Sequence, residues 1–208
     1  KRSLPRSMGH RRGAEILEPV IDAAMDLGID ILSFYALSVE NIQERPRDEI
    51  RGLWMLLEYF FKINFQKMCD RNIRIIHSGS LKGIPASTAS VLKETVERTA
   101  RHKAMTVNFC INYGGRQEIV QAVNTWLKSR GDDEILTEKK LYKHMSSGLV
   151  PDVDLLIRTS GECRLSNFLL WEMAYGEMYI CDKYWPDFSR YDLYQAIENY
   201  TGRERRFG

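Results

Sequence analysis

No stretch of the chain stays apolar for the roughly 18–20 residues that a membrane span needs. The most apolar run, Leu53 to Phe61, is already interrupted at Glu58. A secretory leader is not expected either, because Lys1-Arg2-Ser3-Leu4-Pro5-Arg6 leads into more charge instead of an apolar segment. The four cysteines (Cys69, Cys110, Cys163, Cys181) stand far apart with no C-x-x-C pair. That spacing argues against zinc ligation or a disulfide framework and for reduced thiols in a cytoplasmic protein. Six Pro and 14 Gly are too few for a linker-rich or low-complexity chain. G-x-G-x-x-G, a Walker motif, G-x-S-x-G and H-E-x-x-H are all absent, which leaves several common catalytic classes without support. Asp132-Asp133-Glu134 is acidic but lacks the repeated, spaced aspartates of a two-sided diphosphate–magnesium cage, and reads as a surface loop.

Net charge is scarce as well: 30 Lys+Arg stand against 28 Asp+Glu, for +2 overall. Without a broad basic stripe, a nucleic-acid partner is not expected. The charge is nevertheless uneven, since residues 1–12 carry five Lys/Arg and no acid, and Arg203-Glu204-Arg205-Arg206 is basic again. Such termini are either solvated ends or contributors to a site for a small phosphorylated ligand. The chain's 208 residues, 44% of them hydrophobic, suffice for one domain with a full core.

Short apolar runs rich in β-branched residues alternate with stretches of helical period. Ile29 to Leu37, Ile73 to His77, Thr106 to Ile111, Asp154 to Arg158 and Met178 to Cys181 read as strands, apolar on both faces as buried parallel strands are. Leu17, Val20, Ile21, Ala24 and Met25 share one helix face that Gly28 is placed to end, with a kink or restart expected at Pro19. Further helices are expected from Pro46 to about Asp70, from Ala86 to His102 and from Arg116 to Ser129. This alternation predicts an α/β fold: a mainly parallel central sheet with helices on both faces. Ligands then bind at the carboxyl ends of the strands. The helix after Pro46 is apolar nearly all round from Leu53 to Ile63. It is either buried or the wall of an apolar cleft, and Ala36 and Cys110 are small sheet residues that such a cleft would need.

The stretch Asp154 to Asn167 carries the most chemistry. A strand ends in Arg158, a Gly161 turn follows, and Arg164 precedes Ser166, which reads as a helix N-cap. Two guanidiniums, a hydroxyl and free helix N–H groups suit a phosphate or diphosphate; the alternative is arginines tied to Glu162. Ser38 and Asn41 end another strand, where they serve either a site or a local turn. Gly114-Gly115 suits a phosphate approached by backbone, or merely a turn that needs glycine. His10 and Glu177 carry no assignment by themselves.

In order along the chain stand Leu4-Pro5-Arg6-x-x-Gly9-His10, Tyr35-Ala36-x-Ser38-x-Glu40-Asn41, Asn112-Tyr113-Gly114-Gly115-Arg116, Arg158-Thr159-Ser160-Gly161-Glu162-x-Arg164-Leu165-Ser166-Asn167 and Trp185-Pro186-Asp187-Phe188. With Arg203-x-Arg205-Arg206-Phe207-Gly208 at the close, the set resembles the cis-prenyltransferases, most closely their bacterial undecaprenyl diphosphate synthase branch. The resemblance covers essentially the whole chain. It implies condensation of isopentenyl diphosphate onto an allylic diphosphate, farnesyl diphosphate in the usual case, with new double bonds in cis. Magnesium, a homodimer, an apolar tunnel between sheet and helices, and passing contact with a membrane surface for product release are implied with it.

Residue by residue, the resemblance implies that Arg158, Arg164 and Ser166 hold the isopentenyl diphosphate, and that Arg6 and His10 contact the allylic diphosphate. It puts Asn41 and Ser38 by the reacting carbon, Glu40 beside them among the substrate contacts, and Arg45 in a mobile loop over the site. Glu177 is implied as a metal ligand given across the dimer interface, close to the catalytic rim. The family also begins with a strand and an Asp-Gly-Asn-Gly-Arg-Trp loop, which this chain lacks. Two readings follow: a missing segment, or a non-catalytic partner subunit. An unrelated phosphate-binding α/β module is the third possibility. Ile42 replaces a frequent aromatic, one extra residue separates Asn41 from Arg45, and Cys163 stands where some members place His. The helical trans-type synthases, with their aspartate clusters, do not match.

Overall fold

The computed structural model describes residues 6–203, with backbone alone at residue 6. Expectations placed on the Arg6 side chain and on Arg205, Arg206, Phe207 and Gly208 lie outside the described residues.

Two short helices come first, α1 (Arg6–Glu15) and α2 (Leu17–Asp26). Their break at Ile16 is the restart expected from Pro19, which now sits in the first turn of α2, where its missing N–H costs no hydrogen bond. Gly28, at φ +70°, turns the chain out of α2 into the first strand. The strands are β1 (Ile31–Ser38), β2 (Ile73–Ser78), β3 (Met105–Tyr113), β4 (Leu155–Arg158) and β5 (Glu177–Ile180), each within two residues of its expected span. Between and after them run α3 (Val39–Glu44), α4 (Arg47–Asp70), α5 (Ala86–Thr99), α6 (Gly115–Ser129), α7 (Glu138–His144) and α8 (Arg190–Thr201). The α5 helix stops short of His102, whose ring nitrogen lies 2.8 Å from the carbonyl of Ile73 at the start of β2.

Every strand pairing is parallel. The expected single sheet is divided, however, into a three-stranded sheet ordered β1-β3-β2 and a two-stranded sheet β4-β5. Alternation along β3 builds two cores. Val107, Phe109 and Ile111 join the main core with residues of α2, α4, α5 and α8, and the Phe61 ring lies 4.9 Å from that of Phe109. Cys110 belongs instead to a second cluster with Tyr113, Leu156, Phe168, Leu169 and Met173. Burying Phe61 and Phe109, both at most 1% exposed, contributes roughly 1.5–3 kcal/mol per ring. The α4 helix is not buried all round: Trp54, Phe60, Phe61 and Met68 face the core, while Met55, Tyr59 and Ile63 are exposed.

Candidate active site

A cavity of about 1510 Å³ opens between the two sheets. Every residue from Ile31 to Leu37 on β1 borders it, and every residue from Leu155 to Arg158 on β4. In a strand, successive side chains point to opposite faces, so contact with an unbroken run means that the strand's edge faces the cavity. Both strands are paired on one side alone among the described residues. The cavity is thus partly a slot between two parallel edges and partly a cleft walled by Leu53, Leu56 and Leu57 of α4. His10, Arg45 and Arg158 line it as well, so three basic side chains from three elements share one apolar space.

The end of β1 runs straight into α3. Ser38 caps this helix, its Oγ accepting the Asn41 N–H at 3.1 Å. The Asn41 side chain accepts from Arg45 at 3.2 Å, and Arg45 also donates to Glu49 at 3.1 Å. The same Glu49 oxygen lies 3.0 Å from His10 Nε2. One continuous network therefore joins Asn41, Arg45, Glu49 and His10, of which Arg45, Glu49 and His10 line the cavity while Ser38, Glu40 and Asn41 do not. In place of the expected turn and loop, Ser38 and Asn41 open a helix and Arg45 is its C-cap. Glu49 stands in the first turn of α4, where an acid suits the positive helix end, and its i+4 spacing from Arg45 is also the signal of an ion pair.

At the carboxyl end of β4, Arg158 donates to Ser166 Oγ at 3.4 Å, while its buried Nε has no partner among the described residues. No helix starts at Ser166. The segment is a series of turns, with Ser160, Ser166, Asn167 and Leu169 at positive φ. The expected helix N-cap is thus corrected, and with it the supply of free helix N–H groups. Arg164 lies exposed and is paired with Glu162, the local alternative that the sequence had left open. Gly114 and Gly115 do not offer their turn to a phosphate either. The N–H groups of Gly115 and Arg116 donate to the carbonyl and the side chain of Asn167, at 2.8 and 2.9 Å. The side-chain ends of Gln117 and Asn167 pack close over Gly114: a Cβ there would lie 2.4 Å from Gln117 Oε1 and 2.7 Å from Asn167 Nδ2, so both would have to shift.

Glu40 stands beside this turn and accepts from Asn167 at 2.8 Å. Partial burial works to raise its pKa, but hydrogen bonds from its own backbone, Asn167, Ser38 and Gln117 outweigh it and hold the carboxyl below the usual range. Tyr35, stacked on Phe168 with centroids 4.5 Å apart, directs its hydroxyl at the carbonyls of Tyr113 and Ser166. Burial, with the Glu40 charge second, pushes that phenol well above its ordinary value, so it stays a donor.

Comparison with known proteins decides the family. The family model described as "Putative undecaprenyl diphosphate synthase" matches residues 1–208. The chain belongs to the undecaprenyl diphosphate synthase family of cis-prenyltransferases. It is 43% identical to an isoprenyl transferase of Listeria monocytogenes over 214 residues, covering 100% of this chain and 84% of the relative. It is 41% identical to an isoprenyl transferase of Leptospira interrogans over 212 residues, covering 100% of this chain and 88% of that one. Among solved structures, a lavandulyl diphosphate synthase from Lavandula x intermedia, in complex with dimethylallyl diphosphate, superimposes with a TM-score of 0.93. It is 28% identical and is matched over 100% of this chain and 91% of its own. A structure described as a probable undecaprenyl diphosphate synthase from Campylobacter jejuni gives 0.85 at 30% identity, over 95% and 92% of the two chains.

Within this cis-prenyltransferase, Glu177 stands apart from the other candidate residues. It opens β5 opposite Leu155, whereas Arg158 ends β4 opposite Ile180. The two are therefore about 10 Å apart along the strands, at opposite ends of the small sheet. The expectation that Glu177 lies near the rim does not hold within one chain. Its carboxylate is engaged by Arg203 at 2.6 Å. No group of three or more His, Cys, Asp or Glu able to hold a cation occurs among the described residues. As they stand, these residues do not form a magnesium site, and no step is derived through one.

Proposed function

We propose that this enzyme condenses isopentenyl diphosphate units in cis onto an allylic diphosphate, with farnesyl diphosphate as the primer. The product is then a long polyprenyl diphosphate of the undecaprenyl kind, which serves as a lipid carrier for cell-wall precursors. The carrying observation is that His10, Arg45 and Arg158 line one large cavity whose wall is mostly apolar. Chain elongation needs that combination: cationic groups to hold two diphosphates and stabilise the one that leaves, and an apolar space to solvate the growing chain. In the reaction, the allylic C–O bond breaks, the isopentenyl double bond forms the new C–C bond, and one proton leaves. Ser38 and Asn41 are assigned to the reacting carbon, and Arg158, Arg164 and Ser166 to the isopentenyl diphosphate, with Arg164 turning away from Glu162 to reach it. Arg6 and His10 are assigned to the allylic diphosphate.

The likeness to a synthase bound to dimethylallyl diphosphate raises a second reading, a short primer and a short product. The family model described as "Putative undecaprenyl diphosphate synthase", matched over residues 1–208, supports the long-chain reading.

Magnesium dependence, a homodimer and release of product at a membrane surface belong to the same proposal. Magnesium commonly takes one or two carboxylates plus substrate phosphates, and Glu177 reaches the rim only from a second copy. The slot between β1 and β4 is assigned to one further parallel strand, joined by its loop to α1, which would restore a single sheet. A βαβ connection from that strand through α1 and α2 to β1 is the ordinary right-handed crossover.

The test is an assay of labelled isopentenyl diphosphate uptake with dimethylallyl, geranyl and farnesyl diphosphates, with and without magnesium. Long cis products from farnesyl diphosphate support the proposal. A single condensation that stops at a ten-carbon product supports the short-chain reading instead.

A further inference from the structure

Both side-chain polar atoms of Asn167 and its carbonyl are hydrogen-bonded. Its Nδ2 donates to Glu40 Oε1 at 2.8 Å and to Gln117 Oε1 at 3.0 Å. Its Oδ1 accepts the Arg116 N–H at 2.9 Å, and its carbonyl accepts the Gly115 N–H at 2.8 Å. The amide orientation is fixed by chemistry, because the Glu40 carboxylate accepts and the Arg116 N–H donates. Its backbone is left-handed, at φ +64°, a conformation that Asn tolerates better than most side chains do. One residue thus ties three elements: the turn after β4, the start of α6, and α3. Gly114 leaves it the room to do so.

What those elements carry gives the contact its meaning. Asn167 follows Ser166, the hydroxyl in contact with Arg158. Glu40 lies between Ser38 and Asn41 in the sequence. We infer that Asn167 is a positioning residue that sets the anion-binding turn at a fixed distance from the Ser38–Asn41 segment, so that the isopentenyl diphosphate and the reacting carbon are held in one register. The inference rests on the proposed condensation for its kinetic meaning. Effective catalysis by orientation needs such fixed distances between subsites. The amide itself is required. A carboxylate at 167 places a second acceptor against Glu40 and loses both donated bonds.

The experiment is a double-mutant cycle on the enzyme with farnesyl and isopentenyl diphosphates, reading kcat and KM separately, with a thermal melt for each variant. Asn167→Asp is expected to lower kcat/KM for isopentenyl diphosphate by about 30-fold or more, as loss of hydrogen bonds to a charged group does. Glu40→Gln alone is expected to cost only a few-fold. The pair Asn167→Asp with Glu40→Gln is expected to recover about tenfold, because the new Gln amide donates to the new carboxylate. Asn167→Gly, which keeps the left-handed backbone and removes the side chain, serves if the Asp variant fails to fold; it should show the same kinetic loss at a temperature well below its own melt. Unchanged kinetics in Asn167→Gly, or a double variant no better than Asn167→Asp, overturns the inference. The starting enzyme for these kinetics carries the further strand and loop assigned to the slot between β1 and β4; if that protein condenses nothing, the proposed function fails by itself. The same cycle is then read in melting temperature and still has to show the Asn167–Glu40 coupling, whose absence overturns the contact too.

Discussion

The Arg45 guanidinium donates to the Glu49 carboxylate at 3.1 Å, and this single contact locks the exit of α3 to the first turn of α4. Because the same oxygen meets His10 at 3.0 Å, Glu49 holds both basic groups on the cavity wall. Glu49→Gln should lower turnover by about 10- to 100-fold, the equivalent of ~1.5–3 kcal/mol for hydrogen bonds to a charge. Global stability should change far less. Steady-state kinetics beside a thermal melt separate the two; equal turnover would remove Glu49 from the site.

Arg158→Ala should weaken isopentenyl diphosphate binding by ~1.5–3 kcal/mol. Its Nε is buried without a partner among the described residues, so truncation leaves no broken ion pair behind and the fold should survive. Arg164 is exposed and paired with Glu162, so Arg164→Ala should cost less in affinity than Arg158→Ala. Calorimetric titration of both variants gives the order; the reverse order would exchange their roles.

Ala36 lines the cavity, whereas Cys110 is fully buried in the second cluster. Both had stood as small sheet residues beside a possible tunnel, and the structure separates them. Ala36→Leu should shorten the product while the first condensation persists. Cys110→Leu should leave chain length unchanged and cost ~1–3 kcal/mol by overpacking. Chromatography of the products and a denaturant titration check the two halves.

Asp192 caps α8 reciprocally with Ser189 and meets Lys183 Nζ at 2.7 Å. Burial works to raise its pKa, but donors from Lys183 and Ser189 prevail and hold the carboxyl below its ordinary value. A depressed native pKa means that the unfolded chain binds the proton more readily. The contribution is therefore present above the unfolded pKa, near 4, and is lost as pH falls through the folded value. Asp192→Ala should cost about 1 kcal/mol at neutral pH for the cap and should flatten the acid slope below about pH 4. An unaltered slope in urea titrations at stepped pH would contradict this.

Strands were readable because buried parallel strands are apolar on both faces, and Ile73–Ser78 or Met105–Tyr113 needs no tertiary context to be found. Pro19 and Gly28 marked the restart and end of a helix for backbone reasons that act locally. The turn after Arg158 failed for the opposite reason. Its left-handed residues are stabilised by Tyr35 and by the Gly115–Arg116 backbone, partners distant in sequence that leave no local trace. A helix start at Ser166 was thus a sound local reading overridden by packing. The second duty of Glu49, as an anchor for Arg45 and His10, is hidden because a helix-start acid calls for the same residue type. The helices α3, α7 and α8 were not anticipated.

The central claim is that cis condensation occurs at the cavity between β1 and β4. Its most direct test places before this chain a strand and an Asp-Gly-Asn-Gly-Arg-Trp loop of the kind that the family resemblance implies. That protein is given labelled isopentenyl diphosphate, farnesyl diphosphate and magnesium. The account predicts long-chain polyprenyl diphosphate whose new double bonds are cis by NMR, reduced about 10- to 100-fold by Arg158→Ala, the equivalent of ~1.5–3 kcal/mol. No incorporation with any allylic diphosphate, or new double bonds in trans, would contradict it.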